Sequence, residues 1–351
     1  MKKIRLIAAL LLIAMLVSAC GSNTQAPAAD KAKSSAAKVQ VPEGFTAFTY
    51  EAGKYFTEET TWLRLPSAYK NEAAKKGTIE RVDYTTDVYG DSVTYEKHVN
   101  VYLPYGYKPE DKDTKYNVVY FQHGDGQYND TVFLQEQYNM LDNMIANNDI
   151  DPVIIVFTTF YMYEDNKEVA GDGRNGTLPN LFYKEVTESI LPVVETKYNT
   201  YLTGTTKEDF VNTRDHRAFT GYSRGSVATW NMFHNAFEYF RFYAPMSAGC
   251  LPEQGNPEQG GVWQSDGEMV NYIVEPIDAH PDMKYFIYTC KGTAENPEKQ
   301  AKIVEDLVAS GKFSYGYDRE ENSIAITISN LSHSDRYVPY YYYHSLNTFF
   351  K

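Results

Sequence analysis

The most informative chemical pattern in the sequence is a serine flanked by glycines, in the run Gly221-Tyr222-Ser223-Arg224-Gly225. The pattern G-x-S-x-G is typical of a sharp turn from a strand into a helix that exposes the serine hydroxyl. A serine hydroxyl becomes a good nucleophile when a base takes its proton and an acid orients that base. A strand-like segment (216–220) precedes the motif and a helical pattern (224–235) follows it, which favours a nucleophile over an ordinary glycine-bounded turn.

The acid and the base are expected later in the chain, in that order. The acid should follow the second strand after the serine turn (284–290), where Glu295 is the first carboxylate. The base should follow the last strand (323–329), where His333 lies. The alternatives are a solvated charge for Glu295 and a surface loop for His333. The histidine spacings fit no metal-binding pattern, so we expect no metal and no other cofactor.

Charge that develops on an ester oxygen needs two backbone N–H donors already in place. The first expected donor is the amide of Arg224, directly after the serine. The second should come from the loop 123–126 after the first parallel strand, and we assign it to Asp125. Only the amide of Asp125 should face the site, because its carboxylate would repel an oxyanion. His123 is expected to fix this loop.

Short apolar segments alternate with helical patterns from residue 117 onward. This alternation predicts an α/β fold with a mostly parallel central sheet and helices on both faces. Two earlier segments (79–89 and 92–103) alternate apolar and polar residues, which predicts an antiparallel hairpin at the amino-terminal edge. We expect Pro192 to kink or break one helix and Pro276 to shorten another. One domain over residues 43–351 follows.

Composition excludes some classes of protein. A chain of 351 residues can bury a large core, and 23% charged residues with 15% aromatic residues argue against disorder. The formal net charge of −13 excludes nucleic acid as a main partner. The 31 tyrosines suit either a surface that stacks on sugars or an ordinary aromatic core.

The first residues are typical of an export signal. A basic start is followed by an apolar run (6–17) that is too short to span a bilayer. The segment Leu16-Val17-Ser18-Ala19-Cys20 resembles the lipobox of bacterial lipoproteins. That resemblance implies a signal peptide over 1–19 and lipid on Cys20, followed by a flexible stalk to residue 42. The domain would then be anchored to the outside of the bacterial membrane through the lipid alone. A plain secretory signal is the alternative.

Two cysteines, Cys250 and Cys290, remain in the predicted domain. An exported chain meets oxidising conditions, and the two positions lie near neighbouring strand ends, so a disulfide between them is possible. Buried free thiols are the alternative.

Several segments together resemble the feruloyl and acetyl-xylan esterases of carbohydrate esterase family 1 and the wider esterase D-like group. The similarity covers about residues 78–350, in the order VNVYLPYGY, NVVYFQHGDG, DPVIIVFTTF, FYKEVTESILPVVETKY, RAFTGYSRGSVATW and FRFYAPMSAG. It implies an α/β-hydrolase fold and hydrolysis of acyl esters on plant polysaccharides or oligosaccharides. By position, Ser223 is the nucleophile, His333 the base and Glu295 the acid. The family usually has aspartate in place of Glu295 and small residues in place of Asp125.

The sequence leaves the acyl group and the exact function open. Trp263 and Tyr128 are candidates for the acyl pocket, with core packing as the alternative. The same fold group includes siderophore esterases, other small-ester hydrolases and acyltransferases. A catalytically inactive, glycan-binding surface lipoprotein is the alternative outside the enzymes.

Overall fold

A mixed β-sheet forms the centre of the structure. The computed structural model describes residues 65–127, 135–162, 178–247, 266–295, 297–329 and 331–350, all within a unit that spans Val39–Lys351. The described strands are β1 Thr78–Thr86, β2 Tyr95–Leu103, β3 Asn117–Gln122, β4 Val153–Thr158, β5 Arg217–Tyr222, β6 Phe242–Met246, β7 Phe286–Gly292, β8 Ser314–Tyr315 and β9 Ser323–Ser329.

The nine strands lie in the order β1-β2-β4-β3-β5-β6-β7-β9-β8. Strands β1 and β2 form an antiparallel pair, and β2 joins β4 in antiparallel orientation. Every pairing from β4 to the β8 edge is parallel. The predicted α/β fold, with a mostly parallel sheet and an antiparallel amino-terminal edge, is therefore confirmed.

Helices cover both faces of the sheet. They are α1 Gln135–Ala146, α2 Leu178–Glu185, α3 Leu191–Lys197, α4 Lys207–Asn212, α5 Arg224–Asn235, α6 Asp266–Ala279, α7 Pro297–Ala309 and α8 Val338–Leu346. Alternate residues of the inner strands enter two separate apolar cores. In β3, Val118 and Tyr120 belong to the core that contacts α2 and α5, whereas Val119 and Phe121 belong to the core that contacts α1 and α8. Burial on both faces explains why these strands read as continuous apolar runs.

Pro276 does not shorten helix α6, and that prediction was wrong. The helix continues past this proline to Ala279. A proline cannot donate to the carbonyl four residues earlier, which here belongs to Tyr272. The ring Nδ1 of His234 lies 2.6 Å from that carbonyl oxygen and supplies the missing hydrogen bond. The helix can therefore continue because a neighbouring helix satisfies the carbonyl that the proline leaves without a donor.

Pro192 interrupts a helical segment, as predicted. The backbone changes from α2 to a π-helical turn over Val186–Ile190, and α3 then begins at Leu191 with the proline in its first turn. A proline is well tolerated there because the first N–H groups of a helix need no acceptor within it. Among the helices of the described residues, no segment is both apolar enough and long enough to cross a bilayer.

Candidate active site

Ser223 lies on a strained turn between strand β5 and helix α5. Its backbone angles are φ 56° and ψ −115°, a conformation that is rare outside glycine. The flanking glycines are sterically required. A Cβ atom on Gly221 would lie 2.3 Å from the carbonyl oxygen of Gly225, and one on Gly225 would lie 2.2 Å from the carbonyl oxygen of Gln122. This turn holds the serine hydroxyl at the carboxyl edge of the sheet.

His333 lies directly beside the serine. It follows strand β9, and its Nε2 atom is 2.9 Å from Oγ of Ser223. The imidazole ring stacks on the ring of Tyr222, with centroids 5.0 Å apart and planes 24° apart. Its side chain is 48% exposed, so a substrate can reach it from solvent. The imidazole is thus positioned to take a proton from the serine.

Glu295 lies on the other side of the imidazole. Its Oε2 atom is 3.0 Å from Nδ1 of His333, and its side chain is only 5% exposed. The second oxygen accepts hydrogen bonds from the N–H of Gly292 at 3.2 Å and from the hydroxyl of Tyr341 at 3.1 Å. Burial alone would raise the pKa of this carboxyl group. The hydrogen bonds from His333, Ser247 and Tyr341 outweigh burial and hold the pKa below its ordinary value.

The structure therefore brings together the three residues that the sequence predicts as nucleophile, base and acid. An ionised Glu295 accepts a hydrogen bond from the N–H at Nδ1 of His333, which leaves Nε2 as an acceptor for the Ser223 hydroxyl. This arrangement is suited to nucleophilic attack on an acyl carbonyl.

The loop that follows strand β3 packs against the serine. A Cβ atom on Gly124 would lie 3.2 Å from Cβ of Ser223. The N–H of Gly124 donates to the side chain of Gln127 at 2.9 Å, and the N–H of Gly126 donates to the hydroxyl of Tyr161 at 2.8 Å. Between them, the N–H of Asp125 has no acceptor among the described residues. The contacts thus leave the predicted amide available for an oxyanion.

The carboxylate of Asp125 contacts two other side chains. It accepts a hydrogen bond from the hydroxyl of Tyr161 at 2.8 Å and lies 3.9 Å from Nε of Arg224. A charged side chain in this loop is compatible with an anionic intermediate because Tyr161 and Arg224 hold its carboxylate. The amide of Arg224, the other predicted donor, opens helix α5, where the first N–H groups lack acceptors within the helix.

His123 fixes the loop 123–126 through a hydrogen bond to its backbone. Its Nδ1 atom donates to the carbonyl of Gly124 at 2.7 Å, and its Nε2 atom accepts from the hydroxyl of Thr159 at 2.7 Å. Complete burial lowers the pKa of His123 to about 3, so the ring is neutral. The carbonyl of Thr159 accepts from the ammonium of Lys97, which pairs with buried Glu185 at 2.6 Å. A buried polar network thus supports the predicted oxyanion loop.

Some predicted positions lie outside the described residues. These are the pocket candidates Trp263 and Tyr128, the lipidation site Cys20 with the signal peptide and stalk, and Cys250. Cys290 is buried, and burial raises the pKa of its thiol. The Cys250–Cys290 disulfide stays a prediction. Within the described ranges, no group of three or more His, Cys, Asp or Glu side chains could hold a metal ion.

Sequence reasoning missed Ser247 and Tyr341, which both donate to Glu295. Ser247 is the first residue after strand β6, at the same sheet edge as the serine turn. That position is the one signal that could have indicated it. Tyr341 lies on helix α8 within a run of four tyrosines, and nothing in the run distinguishes it.

Together, the parallel sheet, the serine turn and the hydrogen-bonded histidine and glutamate define an α/β-hydrolase fold with a serine–histidine–glutamate triad. The Esterase family model matches residues 91–316, and the chain belongs to that family. The predicted resemblance to feruloyl esterases is likewise confirmed by the relatives.

The relatives include modules of larger enzymes. The chain is 30% identical over 298 residues to endo-1,4-beta-xylanase Y of Acetivibrio thermocellus, a match that covers 81% of this chain and 24% of that protein. It is 28% identical over 247 residues to an endo-1,4-beta-xylanase/feruloyl esterase of Xylanibacter ruminicola, covering 70% of this chain and 28% of that protein. The chain thus spans about a quarter of the length of these relatives.

A solved structure matches at the level of the whole domain. It is a mutant of the feruloyl esterase module from Clostridium thermocellum in complex with sinapinate. It is 28% identical to this chain, with a TM-score of 0.67, and the match covers 87% of this chain and 96% of that module.

Proposed function

We propose that this protein is a serine esterase that removes acyl groups, feruloyl or acetyl, from plant cell-wall polysaccharides or oligosaccharides such as xylan. The observation that carries the proposal is the continuous hydrogen-bonded series from Oγ of Ser223 through His333 to Glu295. A glycan-binding protein that had lost catalysis would have no need of this series.

The first half of the reaction forms an acyl-enzyme. Nε2 of His333 takes the proton of Ser223 as Oγ attacks the ester carbonyl. The backbone N–H groups of Arg224 and Asp125 stabilise the oxyanion. The intermediate then collapses: the bond from the acyl carbon to the sugar oxygen breaks, and the protonated imidazole, stabilised by ionised Glu295, gives its proton to that oxygen.

The second half releases the acid. Water replaces the sugar alcohol beside His333, which takes a proton from the water as it attacks the acyl carbonyl. The oxyanion forms again and collapses, and the proton returns to Oγ of Ser223. No other reactant is required, so the balanced reaction is an ester plus water giving an acid plus an alcohol.

The substrate class follows from the relatives. Both curated relatives are named as xylanases, and one is also named as a feruloyl esterase. The structurally similar module binds sinapinate, an aromatic acid close in size to ferulate. These similarities support an acyl ester on xylan, and they favour an aromatic acyl group over acetyl.

The test is hydrolysis of p-nitrophenyl acetate, methyl ferulate and acetylated xylan by the wild-type protein and its Ser223→Ala variant. We expect the variant to lose at least about 10⁴-fold in kcat, as removal of a serine nucleophile does elsewhere. Ser314→Ala, on the exposed edge strand β8, is the matched control and should keep full activity. Retained hydrolysis by Ser223→Ala would contradict the assignment. If neither the folded wild type nor the folded variant hydrolysed any of the three esters, the result would favour a glycan-binding protein instead.

We also propose that the enzyme is anchored to the outer side of the bacterial membrane through lipid on Cys20, as the lipobox-like segment indicates. Several acyl chains on one residue would hold it firmly, since each buried CH₂ contributes about 0.8 kcal/mol. Expression in a bacterial host with radiolabelled palmitate should label the wild type in the membrane fraction. Cys20→Ser should be unlabelled and leave that fraction. Unlabelled wild type in the medium would rule out the anchor.

A further inference from the structure

Ser247 contacts both the acid and the base of the site. It follows strand β6, its side chain is completely buried, and its N–H donates to the carbonyl of Cys290 at 2.7 Å. Its hydroxyl donates to Oε2 of Glu295 and lies 3.2 Å from Nδ1 of His333. Of the described donors to Glu295 other than His333 itself, Ser247 is the one that also reaches the imidazole.

Glu295 needs more restraint than an aspartate would at this position. The resemblance noted in the sequence implies aspartate at this position, and glutamate carries one more methylene and one more rotatable bond. Gly292 and Tyr341 hold Oε1, the oxygen that does not meet the imidazole. Ser247 holds Oε2, the oxygen that accepts the hydrogen bond from Nδ1 of His333. The hydroxyl thus fixes the orientation of the carboxylate where it contacts the base.

The backbone of Ser247 is also held in an uncommon conformation, with φ of 49°. This conformation favours glycine, and serine adopts it here at some cost in free energy. A glycine would relieve the strain, so a purely structural account gives no reason for serine. The contact of its hydroxyl with Glu295 supplies one.

We propose that Ser247 is a positioning residue for ester hydrolysis: its hydroxyl holds Oε2 of Glu295 against His333 and so compensates for the longer acid. The inference rests on the proposed function, because it concerns the same reaction. Ser247 does not touch the reacting atoms and acts only through the glutamate and the histidine.

The experiment is a double-mutant cycle on p-nitrophenyl acetate, using the whole protein. The four proteins are wild type, Ser247→Ala, Glu295→Asp and the double variant. We expect Ser247→Ala to lower kcat roughly 10- to 100-fold, which is the range for a lost hydrogen bond to a charged group. KM should change less than about twofold, since a positioning residue acts on the transition state and not on uniform binding. In the Glu295→Asp background the same change should cost less than about threefold, because the shorter carboxylate does not depend on the hydroxyl.

Two further variants separate positioning from folding. Ser247→Gly removes the hydroxyl and suits the positive φ, so it should fold and lose kcat as the alanine variant does. Ser329→Ala is the matched control, because this serine is equally buried and ends strand β9 of the same sheet, and its hydroxyl has no hydrogen-bond partner among the described residues. It should keep the wild-type kcat.

The outcomes separate this inference from the proposed function. Undiminished kcat in folded Ser247 variants of an active enzyme would overturn the inference alone. An equal loss in both acid backgrounds would overturn the compensation for the longer acid. A folded wild type that hydrolyses no ester would overturn the proposed function and the inference with it.

Discussion

The two ends of strand β5 each lie beside a buried carboxylate with a nitrogen partner, but the two sites differ in access. At the start of the strand, Arg217 pairs with Glu195 of helix α3 through two contacts of 2.6 and 2.8 Å. The exposed fractions of these two side chains are 1% and 2%. At the other end, beyond the last residue of the strand, Glu295 contacts His333, whose side chain is 48% exposed. We call the end with Arg217 the closed end and the end with His333 the open end.

The difference lies in what each partner can do with its proton. The guanidinium of Arg217 keeps its proton and also bonds to the hydroxyl of Thr213 at 2.7 Å, so its hydrogen bonds are used within the protein. His333 faces both Ser223 and solvent, and an imidazole can take up a proton at one ring nitrogen and give it up again during a reaction. A buried carboxylate therefore stabilises the fold when its partner is closed and fixed. It can support catalysis when its partner is exposed to solvent and can exchange a proton with a reacting group.

The largest effect should come from Glu295→Gln at the open end. A glutamine can present its amide N–H₂ to Nδ1 of His333 and so favour the tautomer that protonates Nε2, which cannot accept the serine proton. We expect kcat to fall about 10⁴-fold, as the corresponding change does in a protease triad. The measurement is steady-state hydrolysis of p-nitrophenyl acetate, with circular dichroism to verify the fold. A fall of less than tenfold would show that the acid does not act through the imidazole.

A smaller effect, on stability instead of turnover, should follow from Glu195→Gln at the closed end. The change leaves the buried charge of Arg217 without a counterion, and we expect the free energy of unfolding to drop by about 3–5 kcal/mol. Turnover per folded molecule should stay unchanged. Urea unfolding measures the first quantity and assays below the transition measure the second.

Glu238→Gln is the matched control for the closed end. Glu238 pairs with Lys207 at 2.6 Å, but the lysine side chain is 61% exposed. An exposed pair of this kind contributes about 0–1 kcal/mol. If Glu195→Gln cost no more than this control, the closed pair would not be stabilising the start of the strand.

The open end could largely be predicted from the sequence, and the closed end could not. Ser223, Glu295 and His333 each follow a strand, and carboxyl ends of parallel strands meet at one edge, so motif and chain order were sufficient to group them. Glu195 and Arg217 lie 22 residues apart on different elements, and no motif links them. Their pairing depends on how α3 packs against the sheet.

The remaining errors of prediction have the same origin. Pro276 was predicted to end its helix because local sequence rules do not include contacts from other helices. His234, on another helix, makes a hydrogen bond to the carbonyl that the proline leaves without a donor. Ser247 was missed because its role depends on the reach of a glutamate that follows a different strand. Local patterns predicted the elements and the reacting groups. The contacts that hold those groups in place depend on tertiary packing.

His123 sharpens the comparison, because it is buried although it lies at the same end of the strand as His333. Its replacement should have the smallest effect, a change in how stability depends on pH. Its pKa is about 3 in the folded protein, lowered by burial, against about 6.5 in the unfolded chain. Between these values the unfolded state binds a proton that the folded state does not, so stability falls as the pH falls. The loss should approach 1.4 kcal/mol per pH unit. Urea unfolding of His123→Asn should show a slope shallower by up to that amount between pH 6 and pH 4. Above pH 7.5, His123 is neutral in both the folded and the unfolded state, so the slopes of the wild type and the variant should coincide. Identical slopes at low pH would mean that His123 takes up a proton in the folded protein, and the loop would then rest on a charged ring.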